Sequence, residues 1–83
     1  MQSLADKITG LVQVPGGYYE VEFEPLDEGG YLARVPALEA STSGATLDET
    51  QAMVADMVSG WLTVAREDRL PIPKPKPLVS IAI

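Results

Sequence analysis

The stretch from Thr46 to Arg69 constrains this chain most, because it reads as one continuous helix and leaves mainly strand-like segments to pack against it. Thr46 is placed to accept a hydrogen bond from the amide three residues on, while Glu49 is placed to reach back to the Thr46 amide. Asp48 adds negative charge where the helix dipole is positive. The helix is therefore expected to start near Leu47. At about 100° per residue, Leu47, Val54, Val58, Trp61, Leu62 and Ala65 share one stripe, and Asp48, Glu49, Asp56, Thr63 and Glu67 lie opposite. Arg66 and Arg69 suit the negative end of the dipole, and Pro71 disfavours helical geometry at Leu70.

A second row, Met53, Met57, Gly60 and Val64, runs along one flank of that stripe and widens the apolar surface beyond a single sheet contact. Glycine inside a helix costs about 1 kcal/mol relative to alanine, so Gly60 suggests a close approach by another element or subunit. The flank is expected to be covered by the amino-terminal segment or by a second copy of the chain.

Before this helix the chain reads as strands. Tyr19 to Glu24 alternates strictly, with Tyr19, Val21 and Phe23 on one face and Glu20, Glu22 and Glu24 on the other. Pro25 is read as its end, and Leu26 to Gly30 carries turn chemistry. Tyr31 to Val35 is the return strand, closed by Pro36. If Tyr31, Ala33 and Val35 face the core, Arg34 shares the outer face with the glutamates, opposite Glu20 or Glu22 according to register. A short third strand is expected around Glu39 to Ser43, with Gly44 turning the chain into the helix.

The two ends are less patterned. Ser3 and Asp6, with Leu4, Ile8, Leu11 and Val12 at helical spacing, suggest a short amphipathic helix over residues 4 to 12. Gln13 and Val14 suit the start of a strand equally well, and Pro15-Gly16-Gly17 breaks either. Beyond the helix, Pro71, Pro73, Pro75 and Pro77 give a stiff, extended connector. Leu78 to Ile83 then reads as a closing strand with Val79, Ile81 and Ile83 on one face. Such a strand needs a neighbour, within the sheet or across a subunit boundary.

The expected fold is therefore α+β. An antiparallel three-stranded meander packs on one long helix, and a carboxyl-terminal strand joins the sheet in the order β-β-β-α-β. The whole is one domain: an amino-terminal extension (1–17), strands (18–43), the helix (46–69), the proline-rich connector (71–77) and the terminal strand (78–83). At 83 residues such a domain is small for a self-sufficient core. A homodimer or higher oligomer is expected, built through Met53, Met57, Gly60 and Val64 or through Val79 and Ile81.

Composition narrows the function. Twelve acidic against six basic residues give a net charge of −6, which opposes approach to a phosphate backbone and speeds encounter with a basic partner. No direct nucleic-acid binding is expected. The absence of histidine and cysteine removes the commonest general base, the commonest metal ligand, thiolate chemistry and any disulfide. Neither an apolar run long enough for a membrane span nor a signal-peptide block is present, so a cytoplasmic location is expected.

Little is left for catalysis. Glu20, Glu22 and Glu24 recur at about 6.8 Å along a strand, too far for two of them to chelate a cation unaided. Ser41, Thr42 and Ser43 have no histidine to activate them, and Gly29-Gly30 lacks phosphate-loop spacing. No catalytic residue, metal or cofactor is expected.

Five segments in order carry a family resemblance: Phe23-Glu24-Pro25; Glu28-Gly29-Gly30-Tyr31; Val35-Pro36-Ala37-Leu38; Gly44 with Thr46-Leu47-Asp48-Glu49; and Leu70-Pro71-Ile72-Pro73. Across about residues 19 to 73 the chain resembles the HicB antitoxin family. The resemblance implies a partial RNase H-like domain without nuclease residues, whose partner is a small basic HicA-type toxin that cleaves mRNA. It implies inhibition by masking the toxin's RNA-binding or catalytic surface, with Glu20, Glu22 and Glu24 as candidate toxin-facing residues. The alternative is an orphan oligomeric module of the same fold that binds another protein or ligand. Three departures bear on this choice, the first being that the segment before Tyr18 is not matched. Leu38-Glu39-Ala40-Ser41 stands where the family often has a Pro-Gly-Cys-like step, and the DNA-binding module that follows in many members is not matched, so operator binding by this chain alone is not expected.

Overall fold

A computed structural model describes residues 7 to 78. Four strands, β1 (Ile8–Val14), β2 (Gly17–Pro25), β3 (Tyr31–Val35) and β4 (Ala40–Gly44), form an antiparallel sheet in sequence order, and one helix, α1 (Leu47–Glu67), lies on one face. The α+β meander-and-helix arrangement is as the sequence implies, with one strand more than the expected three in the meander. The extra strand comes from the amino-terminal side.

Residues 8 to 14 are β1, where the helix expected over residues 4 to 12 would have run from residue 8 on; residues 4 to 6 lie outside the described residues. Ile8, Thr9, Val12 and Val14 are β-branched and fit a pleated surface better than a helix. Pro15-Gly16, with Gly16 at φ 91°, supplies the positive φ of a tight turn. That turn sets Val14 opposite Gly17 and Val12 opposite Tyr19. Val12 is buried, while Leu11 on the other face is exposed.

The predicted hairpin is present. Tyr19, Val21 and Phe23 are buried together with Ala33 and Val35 from β3, and Val54, Val58 and Leu62 from α1 close the core. Pro25 is the last residue of β2, so the strand ends where expected. The loop is closed by Leu26 donating its amide to the Gly30 carbonyl at 3.0 Å. A 3-10 turn over Pro36–Leu38 drops Leu38 into the core, and Glu39 leaves it in left-handed geometry at φ 53°.

The helix starts as expected, with one difference in its cap. Thr46 Oγ1 accepts from the Glu49 amide at 3.1 Å, but Glu49 Oε1 accepts from the Ala45 amide at 2.9 Å, one residue before the amide anticipated. The other end falls at Glu67, not Arg69. Leu70 donates its amide to the Ala65 carbonyl at 2.8 Å and Arg69 donates to Arg66 at 3.3 Å, with Arg69 at φ 56°. This pair of bonds is a Schellman closure, so the helix unwinds before Pro71 acts.

The sequence reading missed Thr50. It is fully buried, and its hydroxyl donates to the Thr46 carbonyl at 2.6 Å. A hydroxyl satisfied inside its own helix can face the core at little cost.

The proline-rich connector is extended, and it is tied to the sheet. Tyr18 and Lys76 form an isolated antiparallel bridge on the side of β2 that pairs with β3 farther along. Of the expected terminal strand only Leu78 lies within the described residues, and it is exposed. Val79 and Ile81, expected in self-association, lie outside them. Among the described residues no helix is long and apolar enough to cross a membrane.

Candidate protein-binding surfaces

With α1 on one side only, the other face of the sheet has no layer over it among the described residues. Register assigns its side chains: Thr9, Leu11 and Gln13 from β1, Tyr18, Glu20, Glu22 and Glu24 from β2, Leu32 and Arg34 from β3, and Ser41 and Ser43 from β4. The predicted carboxylate row is on this face. Arg34 is directly opposite Glu22, which resolves the open register.

The row is not free charge. Arg34 Nη2 donates to Glu24 Oε1 at 2.8 Å across the diagonal, and its Nε lies 3.9 Å from Glu22 Oε1. Lys76 Nζ lies 3.2 Å from Glu20 Oε2. All these side chains are roughly half exposed, so each pair contributes no more than about 1 kcal/mol. Two cations therefore offset three carboxylates, and a basic partner docking here would compete with Arg34 and Lys76.

Lys76 reaches Glu20 because the connector is fixed as a strap. Besides the Tyr18 bridge, the Tyr19 hydroxyl donates to the Pro73 carbonyl. Burial pushes the Tyr19 phenol above its ordinary pKa, so the hydroxyl stays protonated as that donor requires. These contacts hold the strap against β2 and place Lys76 beside the carboxylate row, a connection between distant segments that local pattern does not reveal.

The second predicted surface is the helix flank. Met53 and Val64 are exposed, while Met57 is half-buried against the core. The amino-terminal segment does not cover the flank where it is described, because residues 8 to 14 are built into the sheet. A β-carbon on Gly60 would meet nothing within 4 Å, so the expected close approach is not made by any described residue. Beside this row stand Glu49, Asp56 and Glu67, and no described cation lies within ion-pair distance of them.

A third surface was not read from the sequence. Beside β1, small residues on α1 leave a groove of about 240 Å³ between Val12, Val14, Ala55, Val58 and Leu62. It continues past Val12 and Ala55 into a depression of about 350 Å³ that reaches Phe23. Ala55 and Ser59 were the available clue, as two small side chains one turn apart on the flank opposite the methionines.

Among the described residues no group of three or more carboxylates converges closely enough to hold a metal ion. The chemistry available to the three surfaces is recognition by charge, apolar contact and backbone pairing. No family model, no curated protein and no solved structure matches this chain.

Proposed function

We propose that the protein is an antitoxin-like binding protein of the HicB type, cytoplasmic and non-enzymatic. In this reading it neutralises a small basic HicA-type mRNA-cleaving toxin by masking the toxin's RNA-binding or catalytic surface. The observation that carries the proposal is the uncovered sheet face, where Glu20, Glu22 and Glu24 stand in one row bordered by Leu11, Tyr18 and Leu32. Apolar and acidic side chains on a flat, strand-built surface complement a basic protein both sterically and electrostatically.

Two features support the family reading. The meander, helix and extended exit follow one another in the order that the resemblance implies for a partial RNase H-like domain. Glu39 also adopts the left-handed geometry that glycine takes without strain, at the place where the family often has its Pro-Gly-Cys-like step.

The test uses the small basic protein with a catalytic histidine expected from the adjacent reading frame. Mixed with this chain, it should bind, lose mRNA cleavage and dissociate progressively as salt rises. The triple change Glu20→Gln, Glu22→Gln and Glu24→Gln should weaken binding and make what remains less sensitive to salt. Binding that stays constant to high salt, or is unmoved by the triple change, removes electrostatic masking by this face.

The second reading, an orphan oligomeric module binding another protein or ligand, is favoured by one observation. The glutamates are already paired with Arg34 and Lys76, as on a face satisfied by its own chain. Neighbouring frames that encode no toxin-like protein would decide for it.

A further inference from the structure

We propose that the strap's seat on β2, from Gly17 to Glu20, is a peptide-binding site filled in cis, and that an extended basic segment of a partner protein enters it by displacing the strap. Attachment is by backbone pairing as well as charge, and any protein that offers such a segment qualifies.

The seat lies in the lane beside β2 that β3 leaves. β3 pairs with β2 at Glu22, opposite Arg34, and the chain then turns away at Pro36 into the 3-10 turn. The strap enters the same lane farther along. Tyr18 donates its amide to the Lys76 carbonyl and accepts from the Lys76 amide, both at 2.9 Å, so the strap runs antiparallel to β2 as an added strand does. Gly17 admits it, because a β-carbon there would overlap the Lys76 carbonyl.

The strap fills this seat incompletely. Tyr18 and Glu20 direct their backbone groups to the same side of β2, and the register that pairs Tyr18 with Lys76 sets Lys74 opposite Glu20. Among the described residues no backbone bond joins Glu20 to Lys74, and Lys74 forms no ion pair. The prolines at 73, 75 and 77 account for this: each holds φ at about −65°, whereas antiparallel strands settle at about −140°. A cavity of about 110 Å³ is left there, bordered by Glu20, Lys74, Pro36 and Ala37. No strap residue from Pro71 to Leu78 is buried, so the strap can open without disturbing the core.

The seat therefore specifies a ligand that fits it better than the strap. An extended segment free of those prolines forms both rungs, at Tyr18 and at Glu20. Its two rung residues point their side chains to one face, the face of the carboxylate row. Basic residues at both positions then stand beside that row, where Lys76 alone reaches Glu20 in the closed chain. Backbone pairing and charge complementarity select the same pattern, two basic residues separated by one other.

A fluorescein-labelled peptide, Ile-Thr-Lys-Thr-Lys-Thr-Leu, is the probe; it is the strap sequence from Ile72 to Leu78 with threonine for each proline. It is titrated into the full chain, Lys76→Gln and Gly17→Ala, with anisotropy reporting binding and thermal melts confirming that each protein is folded. The native chain should bind it. Lys76→Gln, which weakens the competitor in cis, should bind about threefold more tightly. Gly17→Ala should bind at least tenfold more weakly although its strap is lifted, because the β-carbon takes the place of the incoming carbonyl. At saturating peptide, amide exchange at Lys76 should speed up while the α1 amides stay protected. If Gly17→Ala fails to fold, exchange at Lys76 in the native chain still decides. Absence of binding to both the native chain and Lys76→Gln, binding to Gly17→Ala as tight as to the native chain, or unchanged exchange at Lys76 under saturating peptide would each overturn the proposal.

Discussion

Gly17 lies so close beneath Lys76 that a β-carbon on it would stand 1.9 Å from the Lys76 carbonyl oxygen. No side chain fits there, and the φ of 156° at Gly17 is one that residues with a β-carbon rarely adopt. The strap and the turn between β1 and β2 are thus two segments fitted to each other. Gly17→Ala should lift the strap from β2, at a cost of about 2 kcal/mol for two lost backbone hydrogen bonds. Amide hydrogen exchange should speed up at Tyr18 and Lys76 while the α1 amides stay protected. Exchange at Lys76 equal to that of the native chain would show that the contact relaxes without detaching the strap.

A comparable fit joins the end of β4 to the helix. A β-carbon on Gly44 would lie 2.7 Å from Thr50 Oγ1 and 3.0 Å from the Thr50 backbone nitrogen. Thr50→Val keeps the shape and loses one hydrogen bond, while the Thr46 carbonyl keeps the Thr50 amide as a donor, so the expected cost is about 1 kcal/mol. Gly44→Ala pushes against backbone that cannot swing away and should cost about 2 to 3 kcal/mol. Denaturant melts of both variants check the order, which matters more than either value. A Thr50→Val protein less stable than Gly44→Ala would mean that the hydroxyl and not the close packing holds this corner.

Two residues with side chains occupy left-handed backbone where glycine is favoured, Glu39 after the 3-10 turn and Arg69 at the helix end. Both are exposed, and among the described residues neither forms an ion pair. Relief of the steric cost of left-handed geometry exceeds the added unfolded-state entropy of glycine by a fraction of a kcal/mol. Glu39→Gly and Arg69→Gly should each stabilise by up to about 1 kcal/mol, additively because the sites share no partner. A drop in melting temperature for Glu39→Gly would mean that its carboxylate does something the geometry does not show.

These positions also mark what could be read in advance. The helix and the β2–β3 hairpin were legible because each repeats a period over many residues, so Val54, Val58, Tyr19 and Phe23 declare their faces without tertiary information. β1 was not, because Leu4, Ile8, Leu11 and Val12 satisfy a helical spacing while Ile8, Val12 and Val14 satisfy an alternation. The pairing with β2 decided between them. The glutamate row was legible as a face, but its neutralisation by Lys76 was not, since nothing local to Lys76 indicates that a proline-rich connector returns to Glu20. The groove beside β1 is a space between elements, and only Ala55 and Ser59 hinted at it.

Tyr19 gives the strap a dependence on pH. Its hydroxyl donates to the Pro73 carbonyl, and burial raises its pKa in the folded chain above the value of about 10 of an unfolded tyrosine. The unfolded state therefore loses its proton first. A group whose folded pKa is raised contributes stability that is fully present below the unfolded value and is lost as pH rises through the folded one. Lysines and the other tyrosines titrate in the same range, so the informative quantity is the difference between the native chain and Tyr19→Phe. At neutral pH the variant should be less stable by about 1 kcal/mol for the lost hydrogen bond. Above about pH 10 that gap should close, because the native chain then gives up what the phenylalanine never had. Thermal melts of both proteins from neutral pH into this range, with tyrosinate absorbance followed on the same samples, measure it. A gap that stays constant through the titration would mean that the hydroxyl contributes packing alone and that the strap is held by the Tyr18 bridge.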